Sequence, residues 1–310
     1  MHTVSDRPLV ILTEYLDDEA IDWLAERVEL VRCAPDDPKL DHLLERAEGL
    51  VIRTYTEVDR AFLDRAPVLR VVGRGGVGLD NVDLEACAER GIEVVNTPDA
   101  NTQAVVEYVT TLVTGALRSA TPLVDAVDAE TWGQLRDGAI TRTQMNEMTL
   151  GIIGLGRIGS RIAQVAAAIG FQVIFNDLEQ MPPERCHGAT AVDLDQLLSN
   201  SDVLSIHVDG RPENRLFMDA PKINRLKPGV LLVNTSRGFV IETDALAAFL
   251  ESNPAAVAML DVHDPEPVPP GHPLLNRPNA HLYPHLASRT RAAQANMSWV
   301  VRDVARVLGT

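Results

Sequence analysis

The sequence predicts an α/β protein with two parallel sheets, each covered by helices on both faces. Between residues 8 and 95, short runs rich in β-branched residues alternate with amphipathic stretches, as in "PLVIL" followed by "DDEAIDWLAERV". The same alternation restarts at Thr149 and continues towards the end of the chain. Strands that are apolar throughout, without alternating polar positions, are typical of parallel sheets buried on both faces. A chain of 310 residues is long enough for two such domains.

The first half of the chain predicts one sheet and a long helix. Strands are expected at "PLVIL", "ELVRC", "GLVIR", "LRVVGR" and "IEVVN", with a helical segment after each of the first four. Asp17 and Asp18 open the first helix, where the helix dipole favours negative charge. The apolar segment from Asn101 to Ala120 predicts a long helix with Thr102 as its cap. Residues 130–147 are polar and predict an irregular connection.

The second half predicts a second sheet of the same kind. Its strands are expected at "LGIIG", "FQVIFN", "DVLSIH", "VLLVN", "AVAMLDV" and the short "AHLYP". The intervening segments "DLDQLL", "APKINRL" and "TDALAAFLES" predict helices, and the tail from Ser288 to Leu308 predicts one terminal helix.

Composition and charge narrow the functional class. Hydrophobic residues make up 45% and charged residues 23% of the chain, as in a globular protein, and the N-terminus lacks the features of a signal peptide. The three cysteines have no metal-ligand spacing, so we expect reduced thiols, no metal site and a cytoplasmic location. The net charge of −16 disfavours binding to nucleic acid or to an anionic membrane.

A glycine-rich turn predicts a dinucleotide site in the second half. Gly154, Gly156 and Gly159 form G-x-G-x-x-G between the strand "LGII" and the helix "RIGSRIAQVAAA". The first glycine allows the tight turn, the second lets the backbone approach a pyrophosphate, and the third lets helix and strand pack closely. The helix N-terminus then favours the anion.

An acidic residue at the end of the next strand predicts which dinucleotide binds. Asp177 ends "FQVIFND", eighteen residues after Gly159. A carboxylate there can hold both ribose hydroxyls and repels a 2′-phosphate, so we expect NAD rather than NADP.

Seven titratable or charged residues follow predicted strands directly or closely. Ligands of open α/β sheets bind at the carboxyl ends of strands, so these residues together predict a site there. The seven are Arg53, Arg74, His207, Arg237, Asp261, Glu266 and His285.

These residues lie in segments that resemble the D-isomer-specific 2-hydroxyacid dehydrogenase family, and within it the phosphoglycerate dehydrogenase branch. The resemblance covers nearly the whole chain. Its segments are "VVGRGGVGLDNVDLEA" (71–86), "VVNTPDANTQAVVE" (94–107), "LGIIGLGRIGSRIA" (150–163), "LKPGVLLVNTSRGFVIETDAL" (226–246), "LDVHDPEP" (260–267) and "PHLAS" (284–288).

The resemblance implies a particular domain organisation. It implies two Rossmann-like or flavodoxin-like domains, with a discontinuous substrate-binding domain formed by 1–100 plus 284–310 and an NAD-binding Rossmann domain at 101–283. The crossings near 101 and 283 would be the hinge of a cleft. The family is usually a homodimer through the nucleotide domain, which suits the apolar helix at 102–119. Nothing follows residue 310, so the sequence predicts no C-terminal regulatory domain.

The resemblance also implies residue roles. Arg237, Glu266 and His285 match the family's catalytic triad: a histidine to move the hydroxyl proton, a glutamate to orient it, and an arginine to grip the substrate carboxylate. Residues implied to bind the cofactor, in addition to the three glycines, are Arg157, Ile158, Asp177, His207, Thr235, Ser236, Asp261 (towards the nicotinamide amide) and Ser288. Residues implied to bind a small anionic 2-hydroxy or 2-oxo acid are Arg53, Arg74, Gly75, Gly76 and Val77, the last three among the backbone N–H groups of Gly75 to Gly78.

Two departures from the family pattern and several alternatives remain open. Asp209, Gly210 and Arg211 replace the usual Pro-Leu pair after His207. Arg289 either supplies an additional charge that recognises the substrate or is merely the first exposed residue of a helix. The favoured activity is NAD-dependent oxidation of 3-phosphoglycerate. One alternative is reduction of glyoxylate or hydroxypyruvate, and another is an NAD-sensing, corepressor-like binding protein. Formate oxidation is disfavoured because that branch carries glutamine in place of Glu266.

Overall fold

The protein divides into two compact units in a computed structural model that describes residues 7–118, 120 and 122–310. The first unit comprises Met1–Ala104 with Ser288–Thr310, and the second comprises Val105–Ala287. Each boundary lies four residues after the one that the family resemblance implies. None of the helices in these ranges combines the length and the apolar run that a membrane crossing would need.

The helices and strands follow one another in regular β-α alternation. In chain order they are β1 (Leu9–Leu12), α1 (Asp18–Ala25), β2 (Glu29–Arg32), α2 (Leu40–Leu44), β3 (Gly49–Ile52), α3 (Arg60–Asp64), β4 (Val71–Arg74), α4 (Leu84–Glu89), β5 (Glu93–Asn96), α5 (Thr102–Leu117), α6 (Ala129–Gly138), β6 (Thr149–Ile153), α7 (Arg157–Ile169), β7 (Gln172–Asn176), α8 (Pro183–Cys186), β8 (Thr190–Ala191), α9 (Leu194–Asn200), β9 (Val203–Ile206), α10 (Ala220–Ile223), β10 (Leu231–Asn234), α11 (Thr243–Ser252), β11 (Val257–Leu260), β12 (Ala280–Leu282), α12 (Arg291–Ser298) and α13 (Val301–Leu308).

The first unit is built on a parallel sheet of flavodoxin-like strand order. Among its described residues the sheet has five strands in the order β2-β1-β3-β4-β5. The amphipathic α13 packs on this sheet, since its Val304 lies in one buried cluster with Val10, Val51 and Val71. A Cβ added at Gly73 on β4 would collide with Val304, so the helix sits directly against the strand. The last helix of the chain therefore completes the core that the first strands begin.

The second unit is built on a parallel sheet of Rossmann strand order. Within the described ranges it has seven strands in the order β12-β11-β10-β9-β6-β7-β8. Read from β8, this is the doubly wound order 3-2-1-4-5-6 with one added strand. Strands β9 and β10 are buried throughout, as their unbroken apolar runs predict. The carboxyl ends of β6, β9, β10 and β11 thus lie side by side at one edge of the sheet.

Several parts of the chain differ from the sequence-based expectation, among them the short strand β8, where no strand is expected. Residues 129–138 form α6 rather than an irregular connection, with the Asp128 side chain accepting the Thr131 N–H at its start. The sequence of this helix has no apolar periodicity that would predict it, because the helix buries none of its residues and is mostly polar. The tail forms two helices, α12 and α13, instead of one. The predicted long helix ends at Leu117, and Ser119 lies outside the described residues.

Candidate active site

The three glycines of the G-x-G-x-x-G turn have three different environments. Gly154 has φ +87°, and an added Cβ would lie 2.8 Å from the carbonyl oxygen of His207. A Cβ at Gly159 would collide with the carbonyl oxygen of Gly154, so α7 can approach β6 only without a side chain there. A Cβ at Gly156, in contrast, would meet nothing within 4 Å in the described structure. The turn is therefore closed at its first and third glycines and open at its second, where a pyrophosphate would approach.

Asp177 lies directly after β7 and is tied to the glycine turn. Its carboxylate accepts the Leu155 N–H at 2.6 Å and the Glu179 N–H at 2.9 Å. Arg157 and Ile158 open α7 beside this carboxylate-bound turn. The structure thus places the acidic residue at the glycine loop, which the sequence spacing predicts.

His207 supports the glycine turn from β9. Its ring nitrogen Nε2 lies 2.7 Å from Ser205 Oγ, and burial lowers the pKa of His207 to about 3, so the ring is neutral. Its backbone carbonyl packs against Gly154. The loop after His207 departs from the family pattern. An ion pair between the Asp209 carboxylate and the Arg211 guanidinium stabilises this loop internally.

Asn234 organises the turn that carries three predicted site residues. Its side chain is buried, and its Oδ1 accepts the N–H and the Oγ–H of Ser236 at 3.0 and 2.9 Å. Its Nδ2 donates to the Arg237 carbonyl at 2.9 Å, and Arg237 Nη1 donates to the Ser236 carbonyl at 2.7 Å. The Thr235 hydroxyl is buried and makes no hydrogen bond within the described ranges. Sequence reasoning missed Asn234, although an asparagine directly after a buried strand is a recognisable turn signal.

Glu266 and His285 form the central pair of the site. His285 Nδ1 lies 2.9 Å from Glu266 Oε2, and the other oxygen of Glu266 accepts the His263 N–H at 2.9 Å. Burial raises the pKa of Glu266, but the hydrogen bonds from His285 and His263 more than offset it, so the pKa lies below its ordinary value. An ionised carboxylate only accepts hydrogen bonds, so Nδ1 of His285 carries the proton. The side chain of His285 is 42% exposed and that of Glu266 is 31% exposed, so a substrate can reach them.

Asp261 holds the segment that follows His285. It is fully buried, and its two oxygens accept the N–H groups of Leu286 and Ala287 at 2.8 Å each. His285 itself has φ +54°, a left-handed conformation that a residue with a side chain adopts at a cost of about 1–3 kcal/mol. Contact of Asp261 with the nicotinamide amide stays a prediction. In this structure Asp261 fixes the backbone on which His285 sits.

Gly238 brings the Arg237 turn against the Glu266 loop. A Cβ at Gly238 would collide with the backbone of His263, the residue whose N–H binds Glu266. His263 is held in turn, since its Nε2 donates to the Tyr283 carbonyl at 2.8 Å. The loops after β10, β11 and β12 are thus joined, and the predicted triad is gathered at one edge of this sheet.

Arg53, in the first unit, lies in a loop that Glu14 clamps. The Glu14 carboxylate accepts the N–H groups of Arg53, Thr54, Tyr55 and Thr56 at 2.9–3.1 Å, together with the Thr56 hydroxyl. Burial raises the pKa of Glu14, yet these hydrogen bonds lower it below the ordinary value. Sequence reasoning missed Glu14 because the four N–H groups it binds lie about forty residues further along the chain.

The remaining predicted substrate residues lie at the end of β4. The Arg74 side chain passes over Gly76, where a Cβ would collide with its guanidinium. The N–H of Gly75 donates to Ile52 and that of Gly76 to Arg74, at 2.9 and 2.8 Å. The N–H groups of Gly75 and Gly76 are thus bonded within this unit, and the binding of a substrate by these two residues stays a prediction. In the described part of the chain no hydrogen bond uses the N–H groups of Val77 and Gly78.

Ser288, also in this unit, accepts hydrogen bonds at its carbonyl from Thr290 N–H and Gln294.

Comparison with known proteins identifies the family. The family model of the D-isomer specific 2-hydroxyacid dehydrogenase, NAD binding domain, matches residues 110–287. The chain belongs to the D-isomer-specific 2-hydroxyacid dehydrogenase family. Members of this family are oxidoreductases that use a nicotinamide dinucleotide, and the second unit is the family's dinucleotide-binding domain.

Relatives within this family carry two different names. A glyoxylate reductase of Aeropyrum pernix is 34% identical over 306 residues, which are 96% of this chain and 91% of that protein. A D-3-phosphoglycerate dehydrogenase of Archaeoglobus fulgidus is 33% identical over 95% of this chain, which spans only 56% of that protein.

Solved structures of the family share the fold. A glyoxylate reductase from Paecilomyes thermophila matches with TM-score 0.85 and 28% identity, covering 98% of this chain and 96% of that one. An NADPH-dependent glyoxylate/hydroxypyruvate reductase from Sinorhizobium meliloti, in complex with NADP and malonate, matches with TM-score 0.80 and 29% identity, covering 96% and 93%.

The dinucleotide-binding unit fits a nicotinamide dinucleotide on its own geometry. The open position at Gly156 gives the pyrophosphate access to the first turn of α7, a helix of 13 residues. The buried Thr235 hydroxyl, which has no hydrogen-bond partner among the described residues, offers a ligand its donor and acceptor.

Proposed function

We propose that the protein is an NAD-dependent dehydrogenase of a D-2-hydroxy acid, which passes hydride between substrate C2 and the nicotinamide. The observation that carries this proposal is the 2.9 Å hydrogen bond between His285 Nδ1 and Glu266 Oε2 in a dinucleotide-binding unit. An imidazole backed by a carboxylate is suited to moving the hydroxyl proton, while the dinucleotide supplies the hydride acceptor when bound.

His285 acts as the base in oxidation and the acid in reduction. Because Glu266 accepts the Nδ1 proton, Nε2 is the nitrogen that takes the hydroxyl proton of a 2-hydroxy acid. The resulting imidazolium is stabilised by the adjacent carboxylate, whose lowered pKa keeps it ionised at neutral pH. In reduction, the same Nε2 returns its proton to the carbonyl oxygen.

Arg237 binds the substrate carboxylate. The planar guanidinium of Arg237 is held by its bond to Ser236, and it can form charge-assisted hydrogen bonds to a carboxylate and to the C2 oxygen. We also assign the N–H groups of Val77 and Gly78, in the first unit, to substrate binding. In this proposal the unit Met1–Ala104 plus Ser288–Thr310 is the substrate-binding domain.

The favoured substrate is 3-phosphoglycerate, with glyoxylate or hydroxypyruvate as the alternative. Arg53 and Arg74 supply positive charge for a phosphate, which favours the first. The relatives described above include a D-3-phosphoglycerate dehydrogenase and a glyoxylate reductase. Asp177, bound to the glycine turn at 2.6 Å, favours NAD over NADP because its carboxylate would repel a 2′-phosphate.

A substrate panel tests this proposal. D-3-phosphoglycerate would be offered with NAD, and glyoxylate and hydroxypyruvate with NADH and NADPH. Saturable oxidation of 3-phosphoglycerate supports the favoured substrate, and turnover of the small 2-oxo acids alone supports the alternative. Intact dinucleotide binding without turnover of any acid contradicts the proposal and favours the NAD-sensing binding protein.

We further propose that the protein is a homodimer through its second unit. In α6 Trp132 and Leu135 are half exposed, and Ile140 just beyond is 76% exposed. Large exposed apolar side chains in one segment are typical of an interface. Light scattering should give twice the chain mass of 33.8 kDa. Trp132→Glu should give the monomer, whereas Val68→Glu, at a half-exposed position of the first unit, should not.

A further inference from the structure

A single amide connects two arginines of the first unit. Arg53 Nη1 donates to Gln294 Oε1 at 2.5 Å, and Gln294 Nε2 donates to the Ser288 carbonyl at 3.2 Å. Arg289 follows Ser288 directly. The side-chain amide of Gln294 therefore connects the guanidinium of Arg53 to the backbone directly before Arg289.

Both arginines lack the carboxylate partner that most arginines of this unit have. Arg60, Arg70 and Arg90 all form ion pairs with acidic side chains. Arg53 and Arg289 form none within the described residues: the guanidinium of Arg53 contacts the neutral Gln294 and Met297 instead. In a chain of net charge −16, two neighbouring guanidinium groups that form no ion pair with a carboxylate can attract an anion.

The two charges also influence each other. Burial is the main reason that the pKa of Arg53 is lowered, and the positive charge of Arg289 lowers it further against the opposing effect of Glu14. Like charges close together are unfavourable, and a bound anion would relieve that repulsion. Arg289 is exposed, so its side chain is accessible to a ligand.

We propose that Arg289 is a specificity-determining residue which, with Arg53, binds a second anionic group of the substrate, a phosphate or a carboxylate distal to C2. This inference rests on the proposed function. Arg289 follows the proposed acid–base residue His285 by four positions in the chain. Gln294 is a positioning residue that holds Arg53 in place.

The test compares substrates that differ only in the distal anion. Hydroxypyruvate and its 3-phosphate form one matched pair, and 2-oxoglutarate offers a distal carboxylate in place of the phosphate. We expect wild-type protein to prefer at least one dianionic substrate over hydroxypyruvate. Arg289→Ala should lower that preference, measured as the ratio of kcat/KM values, by about tenfold or more, through KM rather than kcat. Arg289→Lys should restore part of it, because lysine keeps the charge but not the planar fork.

Arg291→Ala is the matched control. Arg291 lies two residues after Arg289 and is also exposed. Its replacement by alanine removes the same charge. We expect it to leave the ratio within about threefold, as screening at an exposed site allows. The proposal is overturned if wild-type protein shows no preference for either dianion, or if Arg289→Ala and Arg291→Ala change the ratio equally. Absence of turnover of every 2-oxo acid by wild-type protein overturns the proposed function as well, whereas turnover without preference overturns only this inference.

Discussion

The backbone N–H of Leu286 donates to Asp261 Oδ1 at 2.8 Å, which ties the residue after His285 to the end of the buried strand β11. The second oxygen of Asp261 binds Ala287 in the same way. Because His285 has a left-handed backbone, two fixed N–H groups directly after it hold a conformation that the chain would otherwise leave.

Asp261→Asn should therefore lower both stability and turnover. The amide would present an NH2 group to one of two backbone N–H donors, leaving buried donors unpaired at a cost of about 1–3 kcal/mol in the free energy of unfolding. We expect kcat to fall while the dissociation constant for NADH changes little. Urea unfolding and steady-state kinetics measure the two effects. Unchanged kcat in a destabilised variant would show that the segment does not need this anchor for catalysis.

Asp177→Asn should weaken the preference for NADH over NADPH. Asparagine retains an oxygen to accept the Leu155 N–H but removes the charge that repels a 2′-phosphate. We expect the ratio of kcat/KM for NADPH to that for NADH to rise about tenfold, the equivalent of about 1.4 kcal/mol. If the ratio stays constant, Asp177 is only a support of the glycine turn.

Glu14→Gln should loosen the loop that carries Arg53. One of its oxygens becomes an NH2 group facing backbone N–H donors. We expect KM for the acid to rise by about tenfold with little change in KM for NADH, since the loss corresponds to about one hydrogen bond. Glu19→Gln, at an exposed position of α1, is the control. An equal rise in both KM values would indicate a general loss of structure instead.

Glu14 also predicts a pH dependence of stability. Its folded pKa is lowered, so its contribution is complete above the ordinary value of 4.5 and is lost as the pH falls through the folded pKa. The difference in unfolding free energy between wild type and Glu14→Gln should therefore shrink below pH 4.5. A difference that is constant from pH 7 to pH 3 would contradict the assignment.

His207→Gln should reduce the pH dependence of the free energy of unfolding on the acid side of neutrality. The folded pKa of His207 is lowered to about 3, so the unfolded chain takes up a proton near pH 6.5 that the folded chain refuses. Stability due to neutral His207 is thus complete above pH 6.5 and declines between pH 6.5 and about 3, by at most about 1.4 kcal/mol per pH unit. Urea titrations of both proteins across this range measure the slopes. Parallel slopes would mean that the ring takes up its proton at the same pH in the folded and in the unfolded protein, and would contradict the lowered pKa.

Much of the fold could be predicted because its signals are local. Unbroken apolar runs specify buried parallel strands, and the glycine turn with Asp177 specifies the dinucleotide end of the second sheet. Helix α6 could not be predicted, because it buries no side chain and therefore carries no apolar stripe.

The parts of the site that could not be predicted depend on long-range contacts. Sequence order gives no sign that the Glu14 carboxylate meets the backbone of Thr54, or that Gln294 meets Arg53. The sequence shows that Asp261 is a charged residue at a strand end, but its hydrogen-bond partners are backbone groups 25 and 26 residues away. Only the folded backbone shows which partner such a group has.

In the proposed mechanism His285 moves the substrate proton and Glu266 acts only through His285. The decisive measurement is steady-state kcat of His285→Ala, Glu266→Gln and the double variant, with NADH binding as the control. We expect a loss of roughly 10²–10⁴ in kcat for His285→Ala, a smaller loss for Glu266→Gln, and a double variant no worse than His285→Ala. A double variant in which the two losses multiply would show that Glu266 acts independently of His285, and the mechanism would be wrong.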